Sequence, residues 1–64
     1  MCESTVVLRK GVNETTIMDD VVKLNFDGVK VTCINILGER KSLENVTIRE
    51  ANLVDHRIIL EERQ

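Results

Sequence analysis

Hydrophobic and polar residues alternate with a period of two along most of this chain. That period belongs to strands buried on one face, not to helices. Ser4 to Arg9 places Val6 and Leu8 on one face, and Lys10-Gly11-Val12-Asn13 follows as a turn. Thr15 to Met18 begins a second extended piece, and Asp19-Asp20 interrupts it. Val21 to Phe26 then resumes, with Val22, Leu24 and Phe26 on one side. Asp27-Gly28 separates two β-rich runs and predicts a type I′ hairpin turn, whose two central residues both need positive φ. Val29 to Leu37 carries apolar residues on both faces, which predicts a central strand. Gly38-Glu39 is the next turn. Arg40 to Val46 and Thr47 to Leu53 follow, and Asp55-His56 turns the chain into a last strand around Ile58 to Leu60.

The rival reading is a helix over Leu43 to Val54, because Glu44, Arg49 and Glu50 are good helix formers. The runs Val46-Thr47-Ile48 and Leu53-Val54 oppose it, since β-branched side chains lose χ1 freedom in a helix. Five or six short strands joined by short turns predict an all-β fold. The expectation is a small antiparallel barrel, SH3- or Sm-like, with residues 1–64 forming one domain.

At 64 residues the gain from apolar burial and the cost of ordering the chain are each roughly 96 kcal/mol, and they cancel. Folds this close to balance lean on a disulfide, a metal or a second copy of themselves. Cys2 and Cys33 sit in a chain with no basic, apolar leader at its front, so the expected compartment is the cytoplasm and no disulfide is assumed. On the same ground Asn13-Glu14-Thr15 and Asn45-Val46-Thr47 are chance matches to the glycosylation acceptor pattern. No apolar run is long enough to span a membrane. The expected assembly is a homodimer.

Charge and aromatic content narrow the function. Nine basic residues are dispersed among eleven acidic ones, for a net charge of −2. A phosphate backbone needs a basic surplus or stripe, so nucleic acid is a disfavoured partner. Phe26 is the single aromatic residue, too little for a base-stacking platform. An Sm-like RNA-binding module therefore stays as the second reading only. No glycine-rich phosphate loop, nucleophile elbow or zinc-protease motif is present, and the expectation is a protein that is not an enzyme.

The most chemical feature is the front, Met1-Cys2. A free α-amine, one backbone amide and a thiolate lie within two residues and can close fused chelate rings on one metal. If the metal displaces the amide proton, the donors are two nitrogens and one sulfur in a plane. Planar N/S donation suits Ni(II) or Cu(II) better than Zn(II), which prefers a tetrahedron. If Met1 is removed, the amine and thiolate of Cys2 still chelate. One chain alone leaves the site incomplete, and a second chain across a two-fold axis would supply the rest. Elsewhere the expectations are plainer. Cys33, on the face of Val29, Val31 and Leu37, reads as a small buried hydrophobe. His56 reads as an exposed turn residue that could ligate only if it came close to Cys2. Asp19-Asp20 and Glu61-Glu62 read as solvated surface.

The opening Met1-Cys2-Glu3-Ser4-Thr5-Val6 is similar to the start of the CooT family of small nickel-binding proteins. The similarity continues through Val21 to Phe26, Asp27-Gly28-Val29, Ile36-Leu37-Gly38-Glu39 and Asn52 to Leu60. The resemblance implies a homodimer of small β-barrels and nickel bound at the amino-terminal cysteine, here Cys2. It also implies an accessory role in nickel supply to a client enzyme, in the founding case carbon monoxide dehydrogenase.

Overall fold

The computed structural model describes residues 3–63. Six strands follow one another: β1 (Ser4–Lys10), β2 (Asn13–Asp27), β3 (Lys30–Asn35), β4 (Arg40–Glu44), β5 (Val46–Asn52) and β6 (Arg57–Glu62). Among the described residues there is no helix, so Leu43 to Asn52 is strand on both sides of Asn45, and Leu53-Val54 is turn. All six strands join one sheet in the order β4-β3-β2-β1-β6-β5. The fold is all-β, as the alternation predicts.

Two features of the expected antiparallel barrel need correction. First, β6 runs parallel to β1, from Thr5 opposite Arg57 to Arg9 opposite Glu61, so the sheet is mixed. Following strand sense around the ladders, β4 and β5 both run opposite to β1. Asn45, the single residue between them, is therefore a corner and not a hairpin turn. It sits at φ 58°, a left-handed conformation that asparagine tolerates better than most residues. The chain passes from one edge of the sheet to the other there, and this breaks the alternation of strand sense. Second, the sheet curls without closing. Its edges meet at the corner, where the Val46 amide donates to the Val29 carbonyl at 3.4 Å and the Arg63 amide to the Asn45 carbonyl at 2.7 Å. No ladder joins β4 to β5 among the described residues.

Asp19-Asp20 does not end the second strand. Asp20 takes φ 58° and β2 runs on through it. The strand pairs with β1 in its first half and with β3 in its second. A bulge between Val21 and Lys23 inserts one residue and switches the inward positions. Val21 is buried, whereas Val22 lies exposed instead of joining Leu24 and Phe26 on one side as strict alternation predicts. The following hairpin also differs from expectation. Asp27 pairs with Lys30, so Gly28 and Val29 are the central residues, and only Gly28 has positive φ. That is the pattern of a type II′ turn, with glycine first.

The concave face holds the core: Val6, Leu8, Val21, Val31, Cys33, Val46 and Leu60, flanked by Met18, Leu24 and Ile58. No polar or charged side chain is buried among the described residues. Leu60 is fully enclosed, and truncating such a residue to alanine costs about 2–5 kcal/mol. β3 lies between β2 and β4, an interior position as expected for Val29 to Leu37, and turns Val31 and Cys33 into the core.

Candidate metal centre

The predicted donors Met1 and Cys2 lie outside the described residues. What the structure defines is the ground from which they extend. Ser4 opens β1 and pairs with Val21, which in turn pairs with Asn35, so one row crosses three strands. On the other side of β1 the Thr5 amide donates to the His56 carbonyl at 2.8 Å, which starts the parallel ladder. The β3–β4 turn and the β5–β6 turn therefore flank the amino-terminal end of the sheet. The Ile36 amide donates to the Asp20 carbonyl at 2.9 Å and ties the first of these turns to the same end.

The two turns are built alike. The Asn35 side-chain carbonyl accepts from the amides of Leu37 at 3.0 Å and Glu39 at 2.9 Å, and its Nδ2 donates to Glu39 at 2.6 Å. The Asn52 side-chain carbonyl accepts from the amides of Val54 at 3.1 Å and Asp55 at 2.9 Å, and its Nδ2 donates to Asp55 at 3.2 Å. Each asparagine satisfies backbone donors that a tight turn leaves free. Each turn consequently holds two apolar side chains out in solvent. Leu37 is 81% exposed, Leu53 78% and Val54 87%, with Ile36 beside them. Sequence reasoning missed these residues. The signal was present in Asn35-Ile36-Leu37 and Asn52-Leu53-Val54, where an asparagine that builds a turn precedes two apolar residues. Beside them Ser4, Val21, Val22, Lys23, Leu24 and Ile58 line an open hollow of about 210 Å³.

The remaining candidates separate cleanly. Cys33 is fully buried in the core, as expected of a small hydrophobe. Burial pushes its thiol pKa up, and the positive charge of Lys41, its cross-strand neighbour, opposes this more weakly. His56 is an exposed turn residue, again as expected, but in a left-handed conformation at φ 55°. The acidic pairs sit at the surface in ordinary roles. Asp19 accepts from the Thr5 hydroxyl at 3.0 Å, while Glu61 pairs with Arg49 and Glu62 with Lys10. Among the described residues no three His, Cys, Asp or Glu side chains gather where a metal could sit, and no helix is long and apolar enough to cross a membrane.

Comparison with known proteins agrees with the all-β fold. No curated protein matches the chain. Among solved structures it is similar to the crystal structure of a CooT candidate from Carboxydothermus hydrogenoformans. The identity is 33% and the TM-score 0.88, over 98% of this chain and 100% of that one. The family described as CO dehydrogenase accessory protein CooT matches over residues 1–61, and the chain belongs to that family.

Proposed function

We propose that this protein binds Ni(II) at its amino terminus and holds or delivers it for maturation of a nickel enzyme, with carbon monoxide dehydrogenase the foremost client. The ligands are the Met1 amine, the Cys2 backbone nitrogen and the Cys2 thiolate. Family membership supports the accessory role, and the donor set suits a nickel ion. A site at a chain end remains open to exchange, which delivery requires.

The protein acts as a homodimer that sets two such front ends side by side. The observation that carries this is the exposed apolar pair on each asparagine-built turn, placed on both sides of the start of β1. A small chain that holds large apolar side chains in water around one end marks a contact surface. Binding of metal and of a second copy both stabilise a fold with little margin of its own.

Titration of Ni(II) into tag-free protein, followed by sulfur-to-nickel charge-transfer absorption, tests the site. Wild type should bind, and Cys2→Ser should lose both the band and most of the affinity. Equal binding by the two proteins places nickel elsewhere. Binding should weaken as pH falls, because the amine and the thiol must shed protons to ligate.

A further inference from the structure

Both edges of the sheet, β4 and β5, lack a ladder partner among the described residues, but they are not alike. A bulge between Ile48 and Glu50 interrupts β5, and the Val46 amide already donates to the Val29 carbonyl. Bulges blunt an edge against further pairing. β4 keeps an unbroken register with β3, from Lys30 opposite Glu44 to Ile34 opposite Arg40. The direction of its backbone groups follows from that register. The Asn35 amide donates to the Glu39 carbonyl at 3.0 Å, and opposed residues of an antiparallel pair alternate between bonded and non-bonded. Lys41 and Leu43 therefore bond to β3. The amides and carbonyls of Arg40, Ser42 and Glu44 point away from the sheet, toward the open edge.

The charge along this edge is one-sided. The three ion pairs among the described residues, Lys10–Glu62, Arg49–Glu61 and Arg57–Glu14, all lie on β1, β2, β5 and β6. On the β3–β4 hairpin, Glu39 accepts from the Asn35 side chain and Glu44 stands opposite Lys30. Arg40 and Lys41 stand opposite Ile34 and Cys33, neither of them an acid. Lys23 joins Arg40 across Ile34 on the convex face, and Leu43 and Lys41 share the concave face with Val31 and Cys33. Lysine on an edge discourages pairing with a neutral strand, so a strand that adds here must bring negative charge. We propose that the free edge of β4 takes one further strand from a partner protein, an extended acidic segment. Its backbone pairs with Arg40, Ser42 and Glu44, its carboxylates meet Arg40 and Lys41, and an apolar residue two positions from an acid packs on Leu43. The inference does not depend on the amino-terminal nickel site.

The test titrates a synthetic peptide, Thr-Val-Thr-Glu-Glu blocked at both ends, into isotope-labelled full chain and follows the backbone amides by NMR. Laid antiparallel on β4, its valine faces Leu43 and its glutamates face Lys41 and Arg40. The expected result is saturable shifts at the amides of Arg40, Ser42 and Glu44, with slowed hydrogen exchange at Ser42. A peptide with lysines in place of the glutamates should not bind, and added salt should weaken the acidic one. Methylating the nitrogen of the central threonine, which removes a donor aimed at Ser42, should abolish binding. Arg40→Glu with Lys41→Glu should weaken binding roughly tenfold or more, because like charges then oppose each other. Cys2→Ser should bind the peptide as wild type does. Failure of the acidic peptide to bind, equal binding of the lysine peptide, or indifference to the methyl group overturns the proposal. So does an exchange-protected Ser42 amide in the free protein, since a second copy would then already hold the edge. The peptide comparisons use wild type alone and decide the matter even if the double variant fails to fold.

Discussion

Arg57 Nη2 lies 3.3 Å from Glu14 Oε1, and the pair spans β1 diagonally. Arg57 stands opposite Thr5 on one flank of β1, and Glu14 opposite Arg9 on the other. Val7 lies between those rows on the same face. Val7 is 3% exposed and its neighbour Ile59 8%, although both point away from the core of Val6, Leu8 and Leu60. The convex side of the central strands thus has its own apolar strip, roofed by long charged side chains. Arginine covers such surface with its aliphatic stem and keeps its charge in water.

This roof predicts a split between two variants. Glu14→Gln removes only a half-exposed ion pair and should cost about 0–1 kcal/mol, vanishing in high salt. Arg57→Ala also uncovers Val7 and Ile59, so its cost should be larger and should persist in 1 M salt, a concentration chosen because screening there acts over only ~3 Å. Urea unfolding at low and high salt measures both. Equal, fully salt-sensitive losses would show that the stem contributes no cover.

The corner at Asn45 makes a second prediction. Its φ of 58° suits glycine and asparagine but strains β-branched residues, at about 1–2 kcal/mol. Asn45→Gly should leave stability close to wild type, while Asn45→Val should lower it by that amount in urea unfolding. A corner that tolerated valine at no cost would be inconsistent with this conformation.

Cys33 links burial to pH. Its thiol is pushed above the ordinary value of 9.0, first by burial, with Lys41 opposing. The folded protein therefore holds the proton more tightly than the unfolded chain. The resulting stability is fully present below the unfolded thiol pKa and is lost as pH rises through that value toward the folded one. Wild type should lose stability as pH rises above the ordinary thiol value of 9.0 toward the folded pKa, and Cys33→Ala should lack that slope while being less stable at neutral pH. Thermal melts of both proteins from neutral to alkaline pH are the measurement. Parallel curves would remove the thiol as the cause.

The period-two pattern was enough to find strand in every element, although it broke β2 at Asp19-Asp20, where the strand runs on. It located Val6, Leu8 and Cys33 correctly. It failed where an inserted residue resets the alternation. One extra position after Val21 moves Val22 outward, and nothing in a run of Val, Val, Lys and Leu announces which valine turns in. Parallel pairing of β1 with β6 was equally hidden, since it follows from the corner at Asn45 and not from any property of either strand alone. Met1 and Cys2, the donors proposed from their chemistry alone, lie outside the described residues. What surrounds the start of β1 depends on long-range register, Thr5 with His56 and Ser4 with Val21, which local patterns do not encode.

Leu53 and Val54 provide the last prediction. They lie on a turn whose backbone is fixed by Asn52, so changing their side chains should leave the monomer fold intact. Their exposure in the single chain, 78% and 87%, means that the monomer gains almost nothing from burying them. If a second copy covers them, Leu53→Glu with Val54→Lys should shift the protein from dimer to monomer in size-exclusion chromatography with light scattering. The apparent melting temperature should then lose its dependence on protein concentration. Substitution of Val12, 92% exposed on the turn after β1, should leave the dimer untouched, because Lys10 and Asn13 place that turn at the end of β1 remote from Ser4. A dimer that survives the double substitution at Leu53 and Val54 unchanged would place the interface on another face. One that fails with Val12→Glu as well would point to general instability in place of a defined contact.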